Sequence, residues 1–544
     1  MTVKIAIIGA GSQSFGPATV RDVLLSEALA EAGVELALMD IVPEHLPGIT
    51  AYARRVAERL GRRVQVTAGT ALDAALDGAQ FVVSAIEVDR YRYWAQDFHV
   101  PRHYGFMQIY GENGGPGGLF HALRNMGPTL QIAHRMEALC PDAVLLNFTN
   151  PESKLCQVVN TLTDVQAYGL CHGVAMGEAQ IAAFLQRPAA ELEMAACGMN
   201  HISWFQTIRD RATGKDLYPL LRARERAAAP LAHWDELALS RICLRVFGLW
   251  PSPGANHIGE YIRWAGEFLA SSLLQYYYDP VDGHPWETGE IPQFIYSLGQ
   301  NPTAVPLFGV EEGGGDAVGD RGAERHGQRP AATEGGTVGR PAATESGAVG
   351  RPAAAEGGTV GRPAATEGGA VGRPAAAEGG TVGRPAAAEG GTVGRPATTE
   401  ATEGGPAPEH PLDPEALRPS GELAVPIMEA LACGVRHTLG AVIVPNRGAI
   451  PGLDDDIAVE VPAVADGSGV HPWQMARLPE PVTAILRTQG SIQKLLVDAY
   501  VEGSRRLLLQ SLLLDPTAHS YRNAVALINE MCGLQEGLLP EMGW

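Results

Sequence analysis

Short apolar runs alternate with helical patterns along residues 1–170, an alternation that indicates a parallel sheet covered by helices. The predicted strands are Ile5–Ile8, Glu35–Met39, Phe81–Ile86 and Val144–Asn147. Polar residues follow these strands, and the carboxyl edge of a parallel sheet is where a cofactor or a substrate binds. The first part of the chain therefore predicts an α/β domain with a ligand site at the sheet edge.

Beyond residue 175 the pattern becomes mixed. It predicts long helices over 222–248 and 256–278 and, after residue 420, strands and helices up to the C-terminus. Separate groups of helices and strands are typical of α+β domains. We expect a first domain over residues 1–195 and a second domain composed of residues 196–309 and 413–544.

An eleven-residue repeat interrupts the second domain within residues 310–412. Its unit begins Arg-Pro-Ala-Ala at Arg329, and the arginine returns at positions 340, 351, 362, 373, 384 and 395. An eleven-residue period can produce a right-handed coiled coil, but each copy carries a proline and at least two glycines and lacks an apolar seam. We expect a disordered insertion, since such a segment buries too little apolar surface to offset its chain entropy. A tolerated expansion of a surface loop is favoured over a partner-binding arm.

Charge and cysteine content exclude several classes of function. The formal charge is -20, and no basic stripe along the chain offsets it. Both features argue against binding to a nucleic acid or an acidic membrane. The seven widely spaced cysteines fit a reducing compartment, and the N-terminus lacks a signal-peptide pattern. No apolar run approaches the ~18–20 residues that span a bilayer. We therefore expect a cytoplasmic protein without nucleic-acid or membrane partners.

The first predicted strand leads into a glycine-rich turn. Gly9 and Gly11 occupy the first two positions of the dinucleotide fingerprint Gly-x-Gly-x-x-Gly, and Gly16 follows two residues after the third position. Gly9 permits a tight turn, Gly11 permits backbone approach to a pyrophosphate, and Ser12 leads into the helix N-terminus. Asp40, at the end of the second strand, suits a ribose 2′-hydroxyl and would repel a 2′-phosphate. The pattern predicts a Rossmann-like domain that binds NAD.

A thiol and an imidazole lie after the later predicted strands. Cys171 follows a short strand-like run, and His201 comes thirty residues later. No second cysteine or histidine has zinc-finger spacing, which argues against a closed structural zinc site. One thiolate and one imidazole leave positions on a divalent ion for substrate oxygens. Either residue alone is typical of a buried structural group, but Asn150 and Asn200 nearby favour a ligand site and are predicted to contact substrate.

Two further segments carry candidate acid–base groups. Residues 111–118 contain five glycines, a density that favours backbone approach to a ligand, and Glu112 is the titratable residue among them. His257, Glu260 and Tyr261 lie within one turn at the start of a predicted helix. This second segment is interpreted either as an ordinary helix start or as a set of acid–base groups, and the sequence leaves both interpretations open.

Six short motifs occur in a fixed order along the chain. They are Gly-x-Gly-Ser, Gly-Pro-Gly-Gly, Asn-x-Thr-Asn-Pro, Cys-His-Gly, Asn-His and His-x-x-Glu-Tyr. In this order they resemble the NAD- and manganese-dependent glycosidases of glycoside hydrolase family 4, and residues 444–450 and 459–463 resemble its C-terminal signature. The resemblance covers about residues 1–300 and 420–544. It implies a Rossmann-like NAD-binding domain and an α+β C-terminal domain, as in lactate and malate dehydrogenases.

The resemblance implies glycoside hydrolysis by redox elimination and addition. In this mechanism NAD+ takes a hydride from C3 of the sugar, and the resulting ketone acidifies the C2 proton. A base removes that proton, the C1–O bond breaks, water adds and the hydride returns. Mn2+ or another divalent ion at the C2 and C3 oxygens would stabilise the ketone and the enolate. Family members also imply a homodimer or homotetramer.

The resemblance assigns roles to individual residues. Cys171 and His201 match the family's metal ligands, and Asn150 matches its substrate-contacting asparagine. Glu112 stands where family members have an aspartate that handles the leaving-group proton.

The base that removes the C2 proton is left open. Family members use Asp or Tyr near the His-x-x-Glu-Tyr segment, and this chain has Ala255 and Asn256 before the histidine. Tyr261, His257 and Glu260 are the local candidates.

Other functions share part of this pattern. An NAD-dependent secondary-alcohol or 2-hydroxy-acid dehydrogenase would have the same fold and cofactor, but it would need a His/Arg pair and no Cys/His metal site. A non-catalytic scaffold built around the repeats would lose its function when residues 320–405 are deleted. The glycone is also open among glucosides, galactosides, hexuronides and 6-phosphoglycosides.

Overall fold

A computed structural model describes residues 2–12, 15–228, 237–265 and 417–544. The predicted disordered insertion at 310–412 lies outside the described residues. The strands are β1 Val3–Ile8, β2 Val34–Met39, β3 Val64–Gly69, β4 Phe81–Ser84, β5 Val144–Asn147, β6 Gln166–Gly169, β7 Leu192–Met199, β8 Ile202–Asp210, β9 Trp250–Ser252, β10 His437–Pro445, β11 Ala458–Asp466 and β12 Gly469–Pro472.

The described helices cover both faces of the sheet that these strands form. They are α1 Phe15–Leu25, α2 Glu27–Ala32, α3 Leu46–Arg59, α4 Leu72–Leu76, α5 Arg90–His103, α6 Gly115–Leu139, α7 Glu152–Leu162, α8 Gly173–Leu185, α9 Tyr218–Ala227, α10 Ala238–Phe247, α11 Ala255–Gly259, α12 Ala424–Cys433, α13 Glu480–Glu502, α14 Arg505–Leu514 and α15 Tyr521–Leu534. None of them is both long and apolar enough to cross a bilayer.

The sheet has a parallel half and an antiparallel half. Its strand order is β3-β2-β1-β4-β5-β6-β10-β11-β7-β8-β9, and β12 pairs with β11. The first six strands pair in parallel, in the order of the doubly wound dinucleotide-binding fold. Strand order reverses between β1 and β4, so a ligand crevice is expected beyond their carboxyl ends. The predicted fold class, a Rossmann-like α/β part followed by an α+β part, is confirmed.

The central strand β1 supplies side chains to both layers of the core. Ile5 and Ile7 pack with apolar residues of α1 and α3 on one face. Ala6 and Ile8 pack with residues of α6 and α7 on the other face. A parallel strand buried on both faces is apolar throughout, which is why the sequence pattern located this strand well.

Within the described residues, the long helices predicted over 222–248 and 256–278 are wrong in their extent, and residues 229–236 and 266–278 lie outside the described part of the chain. α9 ends at Ala227, and α10 ends before Gly248, whose φ of 80° is a left-handed helix cap. α11 ends at Gly259, and the helix does not continue through residues 260–265. Apolar periodicity runs past the glycines and prolines that end these helices, so it overestimated their length.

A fully buried ion pair joins α5 and α6 to the end of α15. Arg124 Nη2 lies 2.6 Å from Asp97 Oδ2, and both side chains are 0% exposed. Gln535 completes the group, because its Oε1 accepts from Arg124 Nη1 at 3.0 Å and its Nε2 donates to Asp97 Oδ1 at 3.1 Å. The C-terminal helix is thereby fixed against the first half of the sheet.

Replacing Arg124 by alanine is expected to lower the free energy of unfolding by about 3–5 kcal/mol, because Asp97 would remain buried without its cation. Arg135→Ala is the matched control on the same helix, since its partner Asp73 is 60% exposed. Exposed pairs contribute about 0–1 kcal/mol. Urea denaturation measures both changes, and an equally small loss in the two variants would contradict the expectation.

Candidate functional site

Two glycines at the turn after β1 allow close backbone packing. Gly9 has a φ of 81°, and a Cβ there would lie 2.5 Å from the carbonyl oxygen of Ala85. A Cβ at Gly16 would lie 2.2 Å from the carbonyl oxygen of Ala10. Gly16 therefore allows the close packing of helix on strand that the third glycine of the fingerprint provides.

Asp40 is tied to this glycine-rich loop. Its Oδ2 accepts from Gly11 N at 2.8 Å, and its Oδ1 accepts from Val42 N at 2.9 Å. A carboxylate has about four acceptor positions, so two remain for ribose hydroxyls. Ser12 Oγ accepts from Phe15 N at 3.3 Å at the start of α1. The predicted cofactor residues thus lie together at the carboxyl ends of β1 and β2.

Hydrogen bonds connect the ends of β4 and β5 beside this loop. Ile86 N donates to Thr149 Oγ1 at 3.0 Å, and Asn125 Nδ2 donates to the carbonyl oxygen of Asn150 at 3.2 Å. The side-chain Oδ1 of Asn150 is buried and accepts no hydrogen bond from the described residues. A buried acceptor without a partner is available to a ligand.

Cys171 and His201 meet at the boundary between the two halves of the sheet. Cys171 follows β6, and His201 lies in the two-residue turn between β7 and β8; Cys171 Sγ is 3.5 Å from His201 Nε2. His201 has a φ of 63°, which costs a residue with a Cβ of order 1–2 kcal/mol. Asn200 N donates to Ser153 Oγ at 3.0 Å and holds this turn against α7.

The electrostatic environment suits both groups to a metal ion. Burial, followed by the carboxylates of Glu152 and Glu460, raises the pKa of the Cys171 thiol well above its ordinary value. Burial and the neighbouring His257 lower the pKa of His201 well below its ordinary value, so its ring is neutral. A ligand imidazole must be neutral, and a thiol in acidic surroundings ionises when a cation binds. The thiol and imidazole fit a divalent transition metal.

His257 and Glu112 lie against the same imidazole. The rings of His201 and His257 are 4.5 Å apart between centroids and nearly perpendicular, at 87°. Ligand atoms of Glu112, His201 and His257 all lie within 4.8 Å of one another. Burial opposes ionisation of Glu112. Arg90, whose Nη2 lies 2.5 Å from Glu112 Oε1, followed by His257 and His121, holds the pKa of Glu112 below the ordinary value.

The side chain of Glu260 holds the glycine-rich segment by its backbone amides. Its Oε1 accepts from Glu112 N at 2.7 Å, and its Oε2 accepts from Asn113 N at 3.1 Å. A Cβ at Gly114 would lie 2.7 Å from Glu260 Cβ, and one at Gly117 would lie 2.2 Å from a backbone oxygen of α5. At these positions the close approach is to the protein itself, so the glycine density reflects internal packing.

Tyr261 and Asn200 line a small cavity of about 10 Å³, which is room for about one water molecule. Its other polar walls include Lys154 on α7 and Gln489 and Gln493 on α13. Asn200 Oδ1, Gln489 Nε2 and Gln493 Oε1 are buried and have no partner among the described residues. Such groups require water or ligand hydroxyls as partners. The cavity therefore suits one bound water or a single ligand hydroxyl.

Comparison with protein families identifies the chain. The model of the family 4 glycosyl hydrolases matches residues 4–187, and that of the family 4 glycosyl hydrolase C-terminal domain matches residues 196–303 and 387–518. The chain belongs to family 4 of the glycosyl hydrolases. It is a glycoside hydrolase, and the resemblance inferred from the six motifs is confirmed.

Individual relatives agree on the family and differ in their sugars. The chain is 28% identical to an alpha-glucosidase of Erwinia rhapontici over 98% of both chains. It is 31% identical to an alpha-galactosidase of Bacillus subtilis over 52% of this chain and 64% of the relative. A 6-phospho-alpha-glucosidase from gut microorganisms, solved in complex with NAD and Mn2+, has a TM-score of 0.65 at 18% identity and full coverage of both chains, which shows a shared fold.

The structure brings the predicted site residues of this family 4 enzyme into two neighbouring groups. The first is the cofactor loop with Asp40, and the second is Cys171, Glu112 and His257 around His201. Asn150 lies after β5, and Tyr261 lines the small cavity with Asn200. Glu152 and Glu460 were missed as neighbours of Cys171, although Glu152 directly follows the Asn-x-Thr-Asn-Pro motif and Glu460 is an acid within an apolar strand. The cavity glutamines were also missed, because their spacing on α13 resembles any exposed helix face.

A further ionic group behind Glu112 was not predicted. Glu87, after β4, accepts from His121, whose Nε2 lies 2.8 Å from Glu87 Oε2. His121 Nδ1 lies 2.7 Å from the carbonyl oxygen of Glu112. Burial opposes ionisation of Glu87, but His121 and Arg90 hold its pKa at about 2. Glu87 therefore positions His121, which contacts the backbone carbonyl of Glu112, and Arg90, which pairs with the Glu112 carboxylate.

Replacing Glu87 by glutamine is expected to reduce the acid sensitivity of the family 4 enzyme. The pKa of Glu87 falls from 4.5 to about 2 on folding. Its carboxylate thus contributes stability that is present above about pH 4.5 and is lost as the pH falls toward about 2, roughly 3 kcal/mol in all. Urea denaturation at about pH 6 and pH 3 measures this loss.

The matched control for Glu87→Gln is Glu137→Gln, because Glu137 also pairs with a histidine, His134, but at the surface. Hydrogen bonds from His134 and the Asp164 amide lower the pKa of Glu137 only at an exposed position, so this control should keep most of the acid sensitivity of the natural chain. Equal acid sensitivity in the natural chain and in Glu87→Gln would contradict the expectation.

Proposed function

We propose that this family 4 enzyme hydrolyses O-glycosides by NAD+-dependent redox elimination and addition, with a divalent metal bound at Cys171 and His201. The observation that carries the proposal is the 3.5 Å contact between this thiol and imidazole, on the sheet whose carboxyl edge also holds a dinucleotide loop. A reaction that needs both a hydride acceptor and a Lewis acid explains why one enzyme has both sites. The similar 6-phospho-alpha-glucosidase was solved with NAD and Mn2+.

The cofactor and metal would be held by different elements. Gly9, Gly11 and Ser12 would bind the pyrophosphate of NAD at the start of α1, and Asp40 would bind its ribose. When bound, NAD supplies reversible hydride acceptance at C3 of the sugar, and Mn2+ or another divalent ion supplies Lewis acidity at the C2 and C3 oxygens. Asn150 and Asn200 would bind sugar hydroxyls through their unpaired buried oxygens.

Tyr261 is the base that removes the C2 proton in this proposal. Both carboxylate oxygens of Glu260 already accept backbone amides, and His257 lies against His201. Tyr261 lines the cavity. Burial and nearby carboxylates raise its pKa well above the ordinary value, so proton loss needs positive charge, which Lys154 Nζ, 6.0 Å from the ring centroid, and the metal would provide.

Glu112 would handle the leaving-group proton. Because Arg90 keeps this carboxylate ionised, it must take up a proton before it can donate one to the departing oxygen. Elimination places little demand on that step, since an adjacent enolate expels the leaving group. On the return path the same carboxylate would accept a proton from the water that adds to C1.

A screen of nitrophenyl glycosides tests the proposal. It compares α- and β-glucosides, galactosides, hexuronides and 6-phosphoglycosides with and without NAD+, Mn2+ and a thiol reductant. Activity is expected to require all three additions, and NADH should not accumulate, because the hydride returns. Net NADH formation without glycoside cleavage would instead support a secondary-alcohol or 2-hydroxy-acid dehydrogenase.

We further propose a cytoplasmic homodimer or homotetramer, and light scattering that detects only monomer would contradict the assembly.

A further inference from the structure

We infer that His257 is a third protein ligand of the active-site metal, beside Cys171 and His201. The inference rests on the proposed metal-dependent function and adds a residue to that site. Ligand atoms of His201 and His257 lie within 4.8 Å of each other, and their rings meet edge to face with centroids 4.5 Å apart. A metal–nitrogen bond is about 2.0–2.1 Å for zinc, so one ion can bridge two nitrogens about 4 Å apart after little movement.

The imidazole of His201 is buried and can bind an ion through the nitrogen that faces Cys171. His201 is 4% exposed, and its Nδ1 has no hydrogen-bond partner among the described residues. Its Nε2 already lies 3.5 Å from Cys171 Sγ. An ion shared with Cys171 would bind Nε2, and Nδ1 would carry the proton of the neutral ring. Cys171 approaches one edge, and His257 lies next to the ring.

The surroundings fix His257 in this position. α11, which carries His257, is followed directly by Glu260, and Glu260 is bound to the backbone amides of Glu112 and Asn113. The ring of Tyr110 packs against His257 with centroids 5.4 Å apart. The imidazole is therefore held beside His201 before any ion binds, as a preorganised ligand requires.

Glu112 is the remaining group close to both histidines. Its Oε1 is held by Arg90 Nη2 at 2.5 Å, and its Oε2 lies 3.4 Å from Asn113 Nδ2. Both oxygens of this carboxylate are thus already engaged by protein groups. A ligand set of one thiolate and two imidazoles leaves at least one position for sugar oxygens, as catalytic metal sites do.

The test measures metal binding on the full chain, reduced and freed of metal with a chelator. The affinity for Mn2+ alone is measured by electron paramagnetic resonance of free Mn2+. His257→Asn is expected to weaken binding by at least about tenfold, since even outer-shell changes at metal sites cost about 10–100-fold. His437→Asn is the matched control, because His437, the first residue of β10, pairs with Glu429. The Mn2+ affinity of this variant should equal that of the natural chain.

A second measurement starts from the natural chain. The natural chain loaded with Co2+ should show two exchangeable imidazole N–H resonances shifted by the ion, together with a thiolate-to-metal absorption band. His257→Asn should lose one of the two resonances and keep the thiolate band, which reports Cys171. A single shifted imidazole in the natural chain, or unchanged Mn2+ affinity in folded His257→Asn, would overturn the inference.

The outcome separates the inference from the proposed function. If the natural chain needs Mn2+ to cleave glycosides but shows a single ligated imidazole, the inference fails and the function stands. If the natural chain binds neither Mn2+ nor Co2+, the inference and the metal-dependent function fail together. If His257→Asn lowers kcat without changing metal affinity, His257 acts on protons and is no ligand.

Discussion

Replacing Cys171 by serine is expected to lower glycoside cleavage about a thousandfold while NAD binding and the fold persist. A serine hydroxyl does not ionise as a thiol does, so His201 would lose its partner ligand. A Lewis acid contributes several kcal/mol to the stabilisation of the transition state, and about 4 kcal/mol corresponds to a factor of about 10³ in rate. The rate of nitrophenol release at saturating NAD+ and Mn2+ measures the loss.

The matched control for this substitution is Cys433→Ser. Cys433 ends α12 and its thiol donates to the carbonyl oxygen of Ala28, so its loss should leave activity unchanged. Removing the metal from the natural chain with a chelator should reproduce the Cys171→Ser phenotype, and added Mn2+ should restore the natural chain alone. Full activity in Cys171→Ser, or activity indifferent to the chelator, would reject the metal assignment.

Replacing Tyr261 by phenylalanine is expected to lower kcat about 10²–10⁴-fold, the usual contribution of a positioned base. The same variant should also lower the incorporation of deuterium into the released sugar. In D2O the natural chain should place deuterium at C2 of the released sugar, because the C2 proton leaves to a base that exchanges with solvent. Tyr261→Phe should suppress this incorporation in proportion to cleavage, as mass spectrometry or NMR of the product can measure.

Two comparisons make this second prediction decisive. Tyr104→Phe removes a phenol that donates to Glu530 at the surface, so it should keep both activity and deuterium incorporation. A hydrolase with two catalytic carboxylates leaves the C2–H bond intact and incorporates no deuterium. No deuterium at C2 after full conversion by the natural chain would contradict the elimination mechanism, whereas full activity in Tyr261→Phe would contradict only the choice of base.

The sequence by itself determined the parallel half of the sheet and its cofactor loop. β1 begins at Val3 and β2 at Val34, within two residues of the predicted starts, and β5 was predicted at its observed bounds. These elements are encoded locally, because a strand buried on both faces must be apolar along its length. The position of Asp40 follows from the same pattern, since it is the first polar residue after β2. The order of six motifs was also sufficient to recognise the family.

Only the tertiary structure decided how the acidic groups divide their work. The family resemblance gave Glu112 the leaving-group proton and left Glu260 among the candidate bases. In the structure Glu260 binds the backbone of the glycine-rich segment, while Glu112 faces Arg90 and the histidines. The same holds for Glu460, whose Oε2 accepts from Ser203, 257 residues earlier in the chain. These roles depend on which side chains long-range packing brings within hydrogen-bond distance, and periodicity along the chain carries no information about such contacts.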